Sequence, residues 1–266
     1  MSSSDTVHPR LARFAWTVLG VNLLVIVWGA LVRATGSGAG CGSHWPLCNG
    51  EVVPLAPATQ TLIEYTHRLT SGAALILVIA LVLAVRRVLP KGHAARTASF
   101  WSLVLIVIEA LIGAGLVIFG LVEDNASLGR AVYMALHLTN TFLLLGALTL
   151  TARWVSIPAS GFPAKRNLRL GLYWVGVGGA IVAGISGAIA ALGDTLFPAT
   201  SLQQALAQDI SGTAHILLRL RALHPLLAVA AALVMLVLAR RQLESHRAAP
   251  GAQSDARRLM LLVLLQ

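Results

Sequence analysis

The fold of this chain is decided by uninterrupted apolar runs, of which the clearest is at residues 69–85, reading LTSGAALILVIALVLAV with no charged side chain. With a turn of flanking residues, such a run reaches the length of about 20 residues that crosses the hydrocarbon core as a helix. Within lipid, only helices and closed barrels satisfy their own backbone, and this run lacks the strict alternation of a barrel strand. Residues 69–85 therefore predict a transmembrane helix.

The rest of the 266-residue chain repeats this pattern. Its residues are 57% hydrophobic and 11% charged, whereas about a quarter of the residues of a soluble protein are charged. Further charge-free or nearly charge-free runs lie at 14–32, 97–122, 131–152, 170–193 and 222–239, and a shorter one lies at 259–266. We expect an all-α integral membrane protein, a helical bundle. The composition excludes disordered, collagen-like and small disulfide-scaffold proteins.

The net charge of +10 would suit nucleic acid, but the basic residues are distributed by topology. Fifteen of the 20 lysines and arginines lie in the N-terminal tail or in alternate connections between the apolar runs. By the positive-inside rule, the N-terminus is cytoplasmic and the connections at 33–61, 123–130 and 194–221 face outward. The predicted partner is thus the lipid bilayer of the cell membrane, crossed several times, and not nucleic acid.

The sequence contains a weak internal repeat. Three pairs of segments share an offset of 157 or 158 residues: GAL at 29–31 with GAI at 187–189, His67 with His224, and residues 103–109 with 260–266. One common offset with matched topology predicts a tandem repeat of four-helix units.

The repeat predicts an N-terminal half at 1–155 and a C-terminal half at 156–266. The second unit is expected to be incomplete in this chain, stopping in its third helix. The repeat-equivalent of His137 would fall beyond Gln266.

Three histidines, His67, His137 and His224, lie near the outward ends of predicted helices. Ionisable side chains within the membrane are costly and therefore indicate a functional site. Helical bundles commonly bind haem iron through imidazoles on facing helices. The alternative is a histidine that only hydrogen-bonds a neighbouring helix, which the repeat offset disfavours. His215 competes with His224, but its repeat-equivalent is an alanine. Pro225 predicts a helix that starts or kinks at His224.

Two acidic residues accompany these histidines. Glu64 precedes His67 by three residues and therefore shares its helix face. Its carboxylate could orient the imidazole, accept a proton or stabilise a positive charge on a substrate. The alternative is an ion pair with Arg68, four residues on. Glu109 lies deeper and is expected to be held by contacts between helices.

The two cysteines, Cys41 and Cys48, bracket GSHWPL in an outward connection. Outside the cytoplasm, cysteines this close favour a disulfide. With His44 between them, a zinc site is the alternative, although three ligands fall short of a closed structural site.

The motifs around this loop resemble those of the haem A synthase family. They are GSG at 36–38, CG at 41–42, WPLCNG at 45–50 and EYTHRL at 64–69. The similarity covers essentially the whole chain, and the family's plan of eight helices in two halves matches the repeat.

This resemblance implies an enzyme that oxidises a methyl group of haem O to the formyl group of haem A for terminal oxidases. By motif, His67 and His137 would hold the substrate haem, and His224 would be one ligand of a haem b that carries electrons. Glu64 matches the catalytic carboxylate. Cys41 and Cys48 match the disulfide of the loop. A haem O synthase and a redox partner are the expected protein partners.

Two other functions fit parts of the pattern. A haem b electron-transfer subunit would use the same histidines without converting a substrate, but it would need neither Glu64 nor the cysteine loop. A transporter with structural histidines is supported by the repeat alone, and no predicted helix shows the mid-membrane break expected at a transport site.

Overall fold

The computed structural model describes residues 8–158, 170–244 and 251–265, and the chain divides into two compact units, Met1–Phe162 and Pro163–Gln266. Regular structure in the described ranges is helical, apart from one isolated bridge between Cys48 and Glu51. Six of the helices are long and apolar enough to cross a membrane. The predicted all-α membrane bundle is thus confirmed, whereas the tandem repeat and the boundary after residue 155 stay predictions.

The first unit is a ring of four helices. They are α1 (Pro9–Ala34), α2 (Thr59–Val88), α3 (Ala94–Ile118) and α4 (Leu128–Val155). Each helix packs against the next along the chain, and α1 also packs against α4, which closes the bundle. The start of α4 is fixed by Ser127, whose hydroxyl accepts a hydrogen bond from the backbone N–H of Arg130 at 3.2 Å. A 3₁₀ turn, Ser37–Ala39, follows α1.

A dry apolar core fills the end of this bundle near the N-terminus of α1. Val18, Val78, Leu81 and Leu148 are fully or almost fully buried there. Apolar side chains recur at helical spacing on one face of α1, of α2 and of α4, and these three faces pack together in a single cluster.

The other end of the bundle is built differently. No residue is buried at 23–31 of α1, 65–73 of α2, 107–113 of α3 or 132–139 of α4. The side chains along these four segments are half-buried or exposed, so the helices pack less closely at this level than around the apolar core. This less closely packed layer lies near the bundle end that is expected to face outward.

The second unit contains α5 (Leu170–Leu196), α6 (Leu202–Ile210), α7 (Ile216–Leu243) and α8 (Ala252–Leu264). Helix α5 packs against α7, which also contacts α6 and α8. The short α6, in the connection expected to face outward, was not predicted. The last apolar run belongs to α8, while Gln266 and the basic residues of 159–169 and 245–250 lie outside the described residues.

One predicted helix boundary is wrong. Helix α7 begins at Ile216, not at His224, and Pro225 lies inside it. His215 sets this start because its Nδ1 accepts a hydrogen bond from the backbone N–H of Leu217 at 3.3 Å. A proline removes one backbone hydrogen bond, a loss that helices in a membrane bundle tolerate.

Candidate functional site

The imidazole of His67 lies flat against α1. It is the ninth residue of α2, and its ring covers Gly29, where a methyl group would approach Cε1 to 3.0 Å and Nε2 to 3.2 Å. Its Nδ1 is buried and has no hydrogen-bond partner in the described structure. A buried, unpartnered imidazole nitrogen is costly in an apolar setting, so this ring has capacity for a ligand that is not part of the chain.

His137 is held from α3. Its Nδ1 lies 3.0 Å from Oε1 of Glu109, within ion-pair distance, but it is buried and forms no hydrogen bond in the described structure. The carboxylate of Glu109 accepts its hydrogen bonds from Asn140 and Thr141 instead. Three groups of α4 thus converge on one carboxylate of α3. A small rotation of the ring would let Nδ1 donate to this carboxylate and leave Nε2 for a metal, as in the outer shell of many metal sites.

The two histidines and Glu109 lie at one level of the bundle. All three residues lie on segments where the bundle has no buried residue. Two imidazoles on different helices, each with a buried Nδ1 that forms no hydrogen bond in the described structure, would suit a planar group bound through its metal.

Glu64 is buried beside this site. Its side chain is held on both oxygens: Oε2 accepts a hydrogen bond from the backbone N–H of Cys41 at 2.8 Å, and Oε1 accepts from Nε and Nη2 of Arg68 at 3.1 and 2.5 Å. The ion pair with Arg68 considered from the sequence is therefore present. Glu64 lies about one helical turn from His67, on the same face and nearer the outward end.

The cysteine loop carries the groups that hold Glu64. Cys41 and Cys48 form a disulfide, and no cluster of three metal-ligating side chains occurs in the described residues. The guanidinium of Arg68 donates to the carbonyls of His44 and Leu47 at 2.6 Å each. The loop, the arginine and the glutamate thus form one hydrogen-bonded assembly.

The loop is seated directly on the first turn of α2. At Gly40, any side chain would collide with the backbone of Gln60, because a methyl group there would come within 2.5 Å of its carbonyl carbon. The hydroxyl of Thr61 donates to the carbonyl of Gly40 at 2.7 Å. A glycine is required for this close approach, which brings the Cys41 N–H within reach of Glu64.

The second unit presents a related arrangement around His224. It is the ninth residue of α7, and a methyl group at Gly187 would lie 3.1 Å from its Cε1 and 3.4 Å from its Nε2. Its Nδ1 lies 2.9 Å from the hydroxyl of Ser186, which leaves Nε2 for a ligand. The competing His215 caps α7 and lies against Phe197, with ring centroids 5.1 Å apart.

Two contacts of the histidines were not predicted from the sequence. Glu109 was expected to be held between helices, and it is, but its contact with His137 was not predicted. The signal available was that Glu109 is the one acidic residue inside an apolar run. Ser186 precedes the repeated glycine and carried no recognisable signal. Both residues reach their histidines from another helix, a relation that spacing along one chain does not reveal.

Comparisons with known proteins give a family match over nearly the whole chain and several similar relatives. The model of the COX15-CtaA family, described as cytochrome oxidase assembly protein, matches residues 12–266. A protein of Thermus thermophilus named protoheme IX farnesyltransferase is 51% identical over 228 residues, which cover 84% of this chain and 37% of that protein.

Proteins named heme A synthase match shorter stretches. That of Alkalihalophilus pseudofirmus is 46% identical over 114 residues, covering 42% of this chain and 38% of the relative. That of Shouchella clausii is 41% identical over 137 residues, covering 52% of this chain and 42% of the relative. The chain thus aligns with less than half the length of each of these relatives.

Proposed function

Because the chain belongs to the COX15-CtaA family of cytochrome oxidase assembly proteins, we propose that it is a haem A synthase. It oxidises the methyl group of haem O to a formyl group, giving haem A for terminal oxidases. The observation that carries this proposal is the position of His67 and His137 at one level of the first unit, on different helices, each with a buried Nδ1 that forms no hydrogen bond in the described structure. The names of the heme A synthase relatives support the same activity.

In this proposal, His67 and His137 bind the iron of the substrate haem. With both imidazoles bound, the iron would not be open to oxygen, and the chemistry would occur at the periphery of the ring. Gly29 packs against one imidazole and the carboxylate of Glu109 lies beside the other. These contacts would hold the reacting methyl group in one place relative to the protein.

Glu64 is the proposed catalytic carboxylate. With water as the source of the formyl oxygen and the redox partner as the final electron acceptor, oxidation of the methyl carbon releases electrons and protons in equal number, and a carboxylate near it can accept a proton or stabilise positive charge. The Cys41 N–H and Arg68 orient this carboxylate before the substrate arrives. Preorganised charge of this kind costs no reorganisation during the reaction.

The second unit is proposed to bind a haem b that carries electrons away from the first. His224 would be one iron ligand, because Ser186 takes up its Nδ1 and Gly187 leaves room for the ring. Haem b supplies reversible one-electron chemistry when bound. The residues present fit this role for one axial ligand.

Partners and location follow from the same proposal. Haem O is the product of a farnesyltransferase, and the Thermus thermophilus relative bears that name. We therefore expect this chain to act beside a haem O synthase, together with a redox partner that accepts the electrons. The N-terminus is cytoplasmic and the site lies near the outer surface of the cell membrane.

The alternative function is haem b electron transfer without substrate conversion. One observation favours it: both oxygens of Glu64 are engaged by Arg68 and the Cys41 N–H, as a purely structural ion pair would be. Such a protein would bind haem through the same histidines and would release it unchanged.

Replacement of Glu64 by glutamine separates the two functions. Each variant is produced with a haem O synthase, and the haems extracted from the purified protein are identified by mass. We expect wild type to yield haem A and Glu64→Gln to retain haem O with little haem A. The matched control is Glu244→Gln, an exposed carboxylate paired with Arg240, which should behave as wild type. Haem A from Glu64→Gln at the wild-type level would end the catalytic role of Glu64.

A further inference from the structure

Two arginines at the outward end of the first unit have no acidic partner. Arg130 is 5% exposed, and its Nη1 donates to the backbone carbonyls of Glu123 and Asn125. Nη1 of Arg33 is buried and has no hydrogen-bond partner. Within the described residues neither guanidinium forms a salt bridge, whereas Arg68 is paired with Glu64.

The two arginines also lie at the same end of neighbouring helices. Arg33 is in the last turn of α1, Arg130 is in the first turn of α4, and these two helices pack against each other. The acidic residue Asp124, which precedes α4, is exposed. Burying one guanidinium donor without a partner is costly, and placing a second positive charge beside it adds to that cost. The pair is therefore suited to receive an anion.

Helix geometry places this pair above the histidines. Arg33 follows Gly29, which contacts His67, by four residues, so it lies on the same face of α1 about 6 Å further outward. Arg130 precedes His137 by seven residues, or two turns along the same face of α4. Both arginines thus lie on the outward side of the two imidazoles.

We propose that Arg33 and Arg130 form a carboxylate-binding subsite that receives the acidic side chains of the tetrapyrrole held by His67 and His137. This inference rests on the proposed function and adds an orientation to it: the acidic edge of the haem points outward. A guanidinium matches a carboxylate with two parallel hydrogen bonds. Arg33 supplies the free donor, and Arg130, fixed by its carbonyl contacts, supplies a rigid second charge.

The described part of the second unit has no arginine equivalent to Arg33. The positions 157 or 158 residues on are Ala190 and Ala191. Its arginine at the corresponding end, Arg221, is already paired with Asp194 and Asp209.

The test measures binding of ferric protohaem and of its dimethyl ester, in which the carboxylates are masked. The full chain carries His224→Ala, so that only the first site contributes a bis-imidazole absorption band. We expect protohaem to bind roughly tenfold to hundredfold more tightly than the ester, as for a charge-assisted hydrogen bond. In Arg33→Gln this preference disappears because protohaem binding weakens to the level of the ester. Arg33→Lys keeps part of the preference, and Arg219→Gln, a control on the exposed outward surface, keeps all of it.

The other outcomes overturn the inference in distinct ways. Equal weakening of protohaem and ester in Arg33→Gln would mean that the arginine supports the fold and not a carboxylate. An unchanged preference would exclude Arg33 from the subsite. Competition by added anionic phospholipid in wild type, absent in Arg33→Gln, would assign the arginine to a lipid phosphate. No bis-imidazole band with either compound would refute the histidine site, and with it the proposed function.

Discussion

The contact between Gly29 and His67 can be tested by adding one methyl group. In Gly29→Ala, the new Cβ would lie 3.0 Å from Cε1 and 3.2 Å from Nε2 of the imidazole. These distances are well inside ordinary van der Waals contact, which is about 3.5–4.0 Å between carbons. Because α1 and α2 pack against each other, the imidazole ring must move by several tenths of an ångström.

Two opposing effects set the size of the change in stability. Alanine is favoured over glycine inside a helix by about 1 kcal/mol, whereas overpacking a filled contact costs about 1–3 kcal/mol. The free energy of unfolding should therefore fall by at most about 2 kcal/mol. The effect on haem binding should be larger, because disturbing the support of a metal ligand typically lowers affinity about 10–100-fold.

Gly20→Ala is the matched control, since Gly20 lies on the same helix and a methyl group there would meet no atom within 4 Å. We expect it to bind haem as wild type does and to unfold at an equal or slightly higher temperature. The measurements are a haem titration followed by the bis-imidazole band and thermal unfolding of the same samples. Wild-type affinity in Gly29→Ala would refute the placement of His67 against α1.

Three further predictions concern other parts of the molecule. In Glu109→Gln the carboxylate beside His137 is lost, the imidazole becomes a weaker donor, and the reduction potential of the bound haem should rise; an unchanged potential in a redox titration would contradict this. Replacing both cysteines by serine frees the loop whose N–H holds Glu64, so haem A yield should fall steeply while the bis-imidazole band persists; full yield would show that the loop is dispensable. For topology, Leu55→Cys should react with an impermeant maleimide added to intact cells, and Lys91→Cys only after lysis, because the native cysteines are bonded to each other; the reverse labelling would invert the predicted orientation.

Much of the fold could be predicted from the sequence, because in lipid a long apolar run is almost sufficient to identify a membrane-spanning helix. The runs at 14–32 and 69–85 lie inside α1 and α2, with helix ends extended by polar residues. The start of α7 was missed because Pro225 is a strong local signal for a boundary. In the structure the helix continues through Pro225 and begins instead after His215, whose side chain caps it and which lies further from the apolar run.

The candidate site was only partly accessible. His67 and Glu64 share a helix face, so their relation follows from spacing along one chain. The partners of these residues come from elsewhere: Gly29 from α1, and the Cys41 N–H from the loop. The buried, unpartnered donor of Arg33 is a property of packing, which no pattern in the sequence reports.

The most direct test of the central claim is the haem content of the purified wild-type chain produced with a haem O synthase. Oxidised and dithionite-reduced absorption spectra would be recorded, and the extracted haems identified by mass. We expect bis-imidazole bands and haem A among the extracted haems, with haem A lost in a variant carrying His67→Ala and His137→Ala. Folded protein that contains no haem, or that returns haem O unchanged, would contradict the proposed function.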